Sequence, residues 1–505
     1  MGKGPGKAGG KSPPPPAGYS PEQFFLEDYG RTLFPLSSNR LLVQHGHAAL
    51  RGHIDDILAG NHNFLPQRRV YAAKDPVHVR RTVKLDPVAE FFIYDLIYRN
   101  RTLFRKSFSS DKVHYGYRFD AGRPVSASES YKHFKSQLWI NSVLYENYIG
   151  FDLASYFNSL YHHDLVEWIA ALGANEADVA AFGKFLRETN AGRSIDCLPH
   201  GLYPTKMIGN DFLRFVEEHH VLRSKAVVRF MDDIYIFSDD EQDVKADFAN
   251  IQRLLGQRGL SVNPRKTTRN ELRTESTETS VSDLKKKLLE RRRLIVSTSF
   301  YEEDEPREVL AALDLSDEEL EYISSILNAG DMEEEDAELI LTVMRKHSAN
   351  VEGRLPEIVE RFPHLAKNVY RFCDEVENKE LVADIVLSCS QVDKPVQEYQ
   401  LFWFAMMLDG YLMDTTKSAA IIRSLFHHPN ATDISKAKVL EIADARYGLP
   451  ELRNSYLSSG QSDWLSWASA VGSRNIKPAA RNYRLGYFMN SSPMNRLIGD
   501  IVKAM

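Results

Sequence analysis

The sequence predicts an α+β fold in two parts, a mixed first half to about residue 270 and an all-helical second half from 306 to 505. Three observations predict it. Residues 226–230 and 234–237 are β-branched and aromatic runs hinged on Asp232 and Asp233, the pattern of a β-hairpin with carboxylates at its bend. Residues 148–151 form another strand-like run that ends on a carboxylate, Asp152. Beyond residue 306 the chain reads as helix after helix, without strand alternation.

Taken in order, residues 2–18 are only Gly, Lys, Pro, Ala and Ser, with Pro13 to Pro16 in a row. With nothing to bury, residues 1–19 are expected to form a disordered, weakly basic tail with a stiff polyproline segment. One role for such an arm is to carry a hydroxyl, that of Tyr19, toward an active site. Ser20, Pro21 and Gln23 open the globular part with the residue types of a helix start. A basic block follows, with Lys74, Arg80, Arg81 and Lys84 close together. Residues 79–85 alternate apolar with basic as a half-exposed strand does, which aligns the charges on one side.

Asp86 and Pro87 begin a helix over 88–98 whose Phe91, Phe92, Leu96 and Ile97 require packing. Helices are expected at 164–172, closed by Gly173, and at 176–189, opened by Asn175. His162 and His163 are adjacent and point to opposite sides of any regular element, which argues against zinc. A loop over 197–201 leads into a helix over 205–218, and another helix, 240–257, follows the hairpin. Between 271 and 305 the composition swings from Glu, Ser and Thr to Lys285–Lys287 and Arg291–Arg293, then to acid, a connection containing a basic helix. Further on, Ser316 with Glu319 marks a capping box, and 336–346, 365–373 and 379–387 carry period-3.6 apolar sets. Prolines punctuate the gaps, suggesting a HEAT-like stack of helix pairs without a measurable repeat period.

A chain of 505 residues exceeds the usual size of one domain. The net charge of −6 gives no bulk attraction for nucleic acid, so any such site must be a local basic lining. Cys197, Cys373 and Cys389 are too far apart for a disulfide scaffold and point to reduced residues of a cytoplasmic protein. No apolar run approaches the roughly 20 residues that span a bilayer, and no signal peptide opens the chain. No membrane partner is expected.

A strand at 148–151 placed beside the hairpin brings Asp152 next to Asp232 and Asp233. Three carboxylates at one spot repel one another and do not gather without cations. Hard oxygen ligands suit Mg²⁺, with Mn²⁺ as a substitute, and two such ions roughly 3.5 to 4 Å apart serve in-line displacement at phosphorus. The residues suggest nucleotidyl transfer.

Phe230-Met231-Asp232-Asp233 resembles the Tyr/Phe-x-Asp-Asp box of reverse transcriptases, and 151–157 looks like their first catalytic box. Leu198-Pro199-His200-Gly201 with Pro204 and Asn210 is similar to the family's Pro-Gln-Gly…Asn element. Residues 260–267 resemble its Leu-Asn…Lys-Thr element. The resemblance implies right-hand polymerase palm and fingers over 20–270. It implies Asp152 and Asp232 as bridging metal ligands, Asp233 in support, the Leu153 carbonyl as a further ligand, and Lys266 as the proton donor to pyrophosphate. It also implies Lys74 with Arg80 or Arg81 on a β-ribbon that clasps the incoming triphosphate, the choice of arginine being open. Phe157 matches the side chain that excludes a ribose 2′-hydroxyl, which implies deoxynucleotide use. Gly201 lets backbone approach a base pair closely. His200 replaces the usual Gln and Pro204 falls one residue late, so template positioning is expected to be unusual.

A polymerase half joined to helical repeats, with no recognisable maturase, endonuclease, ribonuclease H or protease element, looks like the abortive-infection group of defence-associated bacterial reverse transcriptases. That group implies RNA-directed or template-independent DNA synthesis from dNTPs as an anti-phage response. It further implies, in some members, priming from a tyrosine, for which Tyr19 is the candidate here. A partner non-coding RNA and homo-oligomers, trimers or hexamers, are also implied. One rival is a retron or group II intron-like enzyme copying its own RNA, disfavoured by the size of the C-terminal half and the lack of a nuclease. The other is a helical scaffold with a decayed polymerase domain, disfavoured because all three carboxylates remain.

Overall fold

The computed structural model describes residues 19–270, 284–285, 287–289, 291–292, 314–330 and 332–505. The tail over 1–18 and most of the 271–305 connection lie outside the described residues.

The strands in chain order are β1 (Arg68–Ala73), β2 (Val79–Lys84), β3 (Lys112–Tyr115), β4 (Phe119–Asp120), β5 (Arg123–Pro124), β6 (Asn147–Phe151), β7 (Ala226–Phe230), β8 (Asp233–Ser238) and β9 (Thr268–Arg269). Five form one sheet in the order β3-β7-β8-β6-β9, with β3 parallel to β7 and the other neighbours antiparallel. The period-two pattern gives this sheet two apolar faces. Ile234 and Ile236 join the large core, whereas Tyr235 and Phe237 join the cluster of Phe134, Leu138 and Val228 on the other side. Helix Ala127–Leu144 covers that second face and helix Glu241–Gly256 the first, with Phe248 5.1 Å from Phe151 between ring centroids. Packing on both sides fixes the strand ends that carry the carboxylates.

β1 and β2 form a separate antiparallel ribbon, Ala73 opposite Val79 and Arg68 opposite Lys84. The expected alternation along 79–85 is absent. β2 is exposed from Val79 to Arg81 and buried from Thr82 to Lys84, because its first half projects as a ribbon tip and its second half enters the core. Lys84, read as part of the basic face, is buried and donates to Glu90 at 2.7 Å. The helix expected over 205–218 is two, Tyr203–Phe212 and Arg214–Glu217, interrupted at Leu213 where ψ is 1°. Helix Pro87–Arg99 follows its cap as expected, the Asp86 side chain accepting from Val88 and Ala89 N–H.

The C-terminal helices pack in two rows. In one, Glu334–Val343, Ala366–Asp374, Glu398–Met407, Asp433–Leu440, Trp464–Gly472 and Pro493–Ala504 each lie against the next. In the other, Lys379–Cys389 lies between Leu355–Arg361 and Ser418–His427, and Leu449–Leu457 lies against Pro478–Met489. Among the described residues no helix is long and apolar enough to cross a membrane.

These rows dock on the N-terminal part. Helix Ser37–Leu58 begins at Leu36, which has no capping side chain, and the missing acceptor comes from far along the chain. Glu441 accepts from Ser37 N–H at 2.7 Å and from Ser38 N–H at 2.8 Å, while Lys438 donates to Glu441 and Asp409, each at 2.8 Å. Lys438 and Glu441 are fully buried, so neither charge has water to fall back on. Glu441→Ala is therefore expected to cost roughly 3 kcal/mol, from the lost cap and a buried ammonium stripped of one partner. Chemical denaturation checks this, and Glu441→Gln, which keeps an acceptor, should lose less.

Candidate active site

Local chemistry sets the first two carboxylates. β7 and β8 close over Met231 and Asp232, with Phe230 opposite Asp233 and Met231 at φ +55°. Asp232 occupies the bend and Asp233 starts the outgoing strand. β6 lies on the other side of β8 with Phe151 opposite Ile234, so the next residue, Asp152, emerges beside the bend. Convergence of the two segments follows from sheet order and register alone.

The electrostatics agree with that placement. The Asp232 carboxyl is pushed up to about 6 by burial and then by the charges of Asp233 and Asp152. Partial desolvation and then the Asp152 charge raise Asp233 as well, although the residue stands exposed at the start of β8. Asp152 is buried, and its Oδ1 has no hydrogen-bond partner. Its Oδ2 accepts from Lys266 Nζ at 2.7 Å. That bond in turn holds the Lys266 ammonium above its ordinary value. Among the described residues no group of three or more His, Cys, Asp or Glu side chains is arranged to hold a metal ion by itself. An orphaned buried oxygen of Asp152, beside two carboxyls that are both raised, fits an open cation site that water and substrate would complete.

A cavity of about 850 Å³ opens on this spot. Asp152, Leu153, Phe157, Asp232 and Lys266 line it together with Lys74, Arg80, Arg81, His200 and Gly201. The ribbon tip thus carries its exposed cations into the same space as the carboxylates. Arg81 is engaged by Asp196 at 3.3 Å, an acceptor it shares with Arg69 at 3.2 Å, while Arg80 lies at the exposed tip. Gly201 has φ +95°, and a Cβ there would meet Leu33 Cγ at 3.1 Å, so glycine is required on both counts. The Phe157 ring rests 5.0 Å from the His200 ring and against Gly209, where any Cβ would stand 2.9 Å from it. Burial and then the Arg80 charge push the His200 imidazole down to about 4, so it is neutral at physiological pH, and its Nε2 has no partner.

Tyr19 does not join these residues. It is buried in an aromatic cluster 6.0 Å from Tyr98 and 6.4 Å from Phe119 between ring centroids, and its hydroxyl donates to Glu27 at 2.9 Å. The reading of Tyr19 as the end of a flexible arm is corrected by this packing, which its aromatic neighbours dictate. Burial also raises its hydroxyl well above the ordinary phenol value. Asp233 is outside the cavity lining although adjacent to Asp232.

A supporting network escaped sequence reasoning. Asn210 Oδ1 accepts from Met231 N–H at 3.2 Å, and Arg229 Nη1 donates to the Met231 carbonyl at 3.0 Å, so both ends of the residue before Asp232 are held. Arg229 is fully buried and forks onto Glu217 at 2.9 and 2.8 Å, with His114 at 3.0 Å from the same carboxylate. Burial alone would raise the Glu217 carboxyl, but Arg229 and His114 bring it down to about 2. The available signal was a charged residue inside the apolar run 226–230, which demands a buried partner. Arg31 and Lys206, also in the cavity wall, carried no signal of their own.

Residues 117–281 match the family model described as reverse transcriptase (RNA-dependent DNA polymerase). The chain carries a reverse-transcriptase domain. As an enzyme it is accordingly a nucleotidyltransferase. The matched stretch takes in Asp152, Phe157, His200, Asp232 and Lys266 of the cavity and Asp233 beside it, while Lys74, Arg80 and Arg81 lie upstream of it. A similar solved structure is telomerase from Candida albicans in complex with a fragment of telomeric RNA, at 10% identity and a TM-score of 0.29, covering 71% of this chain and 61% of that one. At that score the likeness carries no argument about function. No curated protein matches the sequence.

Proposed function

We propose that the chain is a DNA polymerase of the reverse-transcriptase type that transfers deoxynucleotides by two-metal catalysis and acts in anti-phage defence, as the abortive-infection group does. The observation that carries the chemistry is the meeting of Asp152 with the Asp232-Asp233 bend at a cavity that Lys74, Arg80 and Arg81 also line. Magnesium ions held by Asp152, Asp232 and Asp233, with the Leu153 carbonyl, would supply activation of the attacking hydroxyl and neutralisation of the departing pyrophosphate. The chain's own groups do the rest. Lys74 and Arg80 hold the triphosphate, Arg80 by a guanidinium fork suited to phosphate oxygens. Lys266, kept protonated by its bond to Asp152, gives a proton to the leaving group once that bond is released. The neutral His200 offers an unpartnered Nε2 where the family presents an amide, a reason to expect unusual template handling.

The defence role is supported by the resemblance and by two rows of helices in place of retroelement appendages; the alternating contacts of those rows favour a HEAT-like stack over 306–505. In this reading 20–270 is the fingers and palm and 271–305 the connection. Priming from a protein hydroxyl, a partner non-coding RNA and a trimeric or hexameric assembly belong to the same reading, with a tyrosine other than Tyr19 as primer.

The test is incorporation by the purified full chain, with Mg²⁺ and each labelled dNTP in turn, with and without co-purified RNA. Label in acid-insoluble product that is lost in Asp152→Asn supports the proposal, and a band that stays with the denatured protein identifies protein priming. No incorporation under any of these conditions contradicts it. Phe157→Ala is expected to admit ribonucleotides, lowering discrimination between dNTP and rNTP by roughly 10- to 100-fold. Single-nucleotide kinetics with paired substrates check this.

A further inference from the structure

A second cavity, of about 470 Å³, lies where the C-terminal rows meet the N-terminal helices. Its size suits a small ligand. Arg40, Lys367, Arg371, Lys438 and Arg474 line it; Arg474 Nη1 donates to the Glu441 and Val471 carbonyls at 2.8 and 3.1 Å, and Asp409, the one carboxylate among the described lining residues, accepts from Lys438 at 2.8 Å. Tyr29, Tyr370 and the buried Trp403 are also in the lining, Tyr370 being stacked on Tyr411 at 5.8 Å between ring centroids. Two of these rings already lie near a cation, Tyr29 with Arg40 at 5.7 Å and Trp403 with Lys367 at 5.5 Å from their centroids. Burial and then the Arg371 charge pull the Lys367 ammonium well below its ordinary value, as cations crowding one another do.

The positive lining continues toward the catalytic cavity. Arg31 and Lys206 line that cavity, and the charge of each weighs on Lys367, as Arg31's does on Arg371. Cations that take phosphate oxygens, with tyrosine rings in the same lining, are the chemistry of a nucleoside-phosphate site.

We infer that this cavity binds a nucleoside phosphate, as a free nucleotide or as one residue of a single strand, at a site formed jointly by helix Ser37–Leu58, the Tyr29 region and the C-terminal rows. The inference takes the nucleoside from the polymerase reading, whereas the anion site stands on the lining alone. Binding of labelled dTTP and of a labelled oligo(dT) strand is measured on the full chain without divalent ion, in an Arg80→Ala background that weakens the catalytic triphosphate clasp. Arg371→Gln and the rim substitution Arg40→Glu are each expected to weaken binding by about tenfold or more. Sensitivity with dTTP identifies a free-nucleotide site, and sensitivity with oligo(dT) alone identifies a strand-binding site. Arg40 is exposed, so Arg40→Glu decides the matter should Arg371→Gln fail to fold. The inference is overturned if neither ligand binds, or if affinity in folded variants changes by less than about twofold. Because incorporation is not the readout, a dead polymerase does not sink it.

Discussion

Asp232→Asn is expected to abolish nucleotide incorporation and, in the same step, to stabilise the metal-free protein. Loss of one of the carboxylates that would hold the ions removes charge stabilisation no neighbouring group replaces, a drop of at least about a thousandfold. The stability gain comes from the burial of the Asp232 charge and then from the repulsion described above. Asp232 titrates at about 6 in the fold against an ordinary 3.8, so between those values the folded chain keeps a proton that the unfolded chain has released. Stability therefore falls as pH rises through that window, by about 3 kcal/mol in all, and stays lower above it. Asparagine cannot ionise and removes this loss. Thermal unfolding from pH 4 to 8 should show wild type and Asp232→Asn converging at the acid end and the variant ahead at neutral pH. Equal profiles would mean that neither burial nor the neighbouring carboxylates raise Asp232.

Arg229→Met is expected to have the largest effect on folding of any change near the site. Removing the guanidinium leaves Glu217 buried, charged and short of its main partner, a cost of roughly 3 to 5 kcal/mol. It also frees the Met231 carbonyl at the bend. Adding Glu217→Leu should recover part of the stability, since a buried pair replaced by apolar groups is often close to neutral. Urea denaturation of both variants tests this, and a single variant as stable as wild type would show that the pair is not buried as described. Asn210→Ala separates position from stability. It keeps the ion pair but loses the grip on Met231 N–H, and is expected to lower incorporation about a hundredfold with a modest change in unfolding.

The parts of the fold legible in the sequence are those governed by neighbours along the chain. The hairpin, the strand ending at Asp152, and the Asp86, Asn175 and Ser316 caps depend on period-two patterning and on side chains that bond a few residues on. The site was legible to the same extent, as carboxylates at strand ends. What could not be read depends on distant partners. Tyr19 looked like the end of a polar arm because its burial is decided by Tyr98 and Phe119. Lys84 looked solvated because its partner Glu90 lies on the following helix, one of many acids within reach. Glu441 sits 404 residues from the Ser37 amide it caps, a separation no periodicity spans. Nor does any pattern in 226–230 name Glu217 as the partner of Arg229.

The most direct measurement is anomalous diffraction from crystals grown with Mn²⁺ and a non-hydrolysable dNTP. Peaks between Asp152 and Asp232, roughly 3.5 to 4 Å apart, with Lys266 displaced from Asp152, are the expected result. Crystals in which nucleotide fills the cavity while the Lys266–Asp152 bond persists and no manganese lies at the bend would contradict the account.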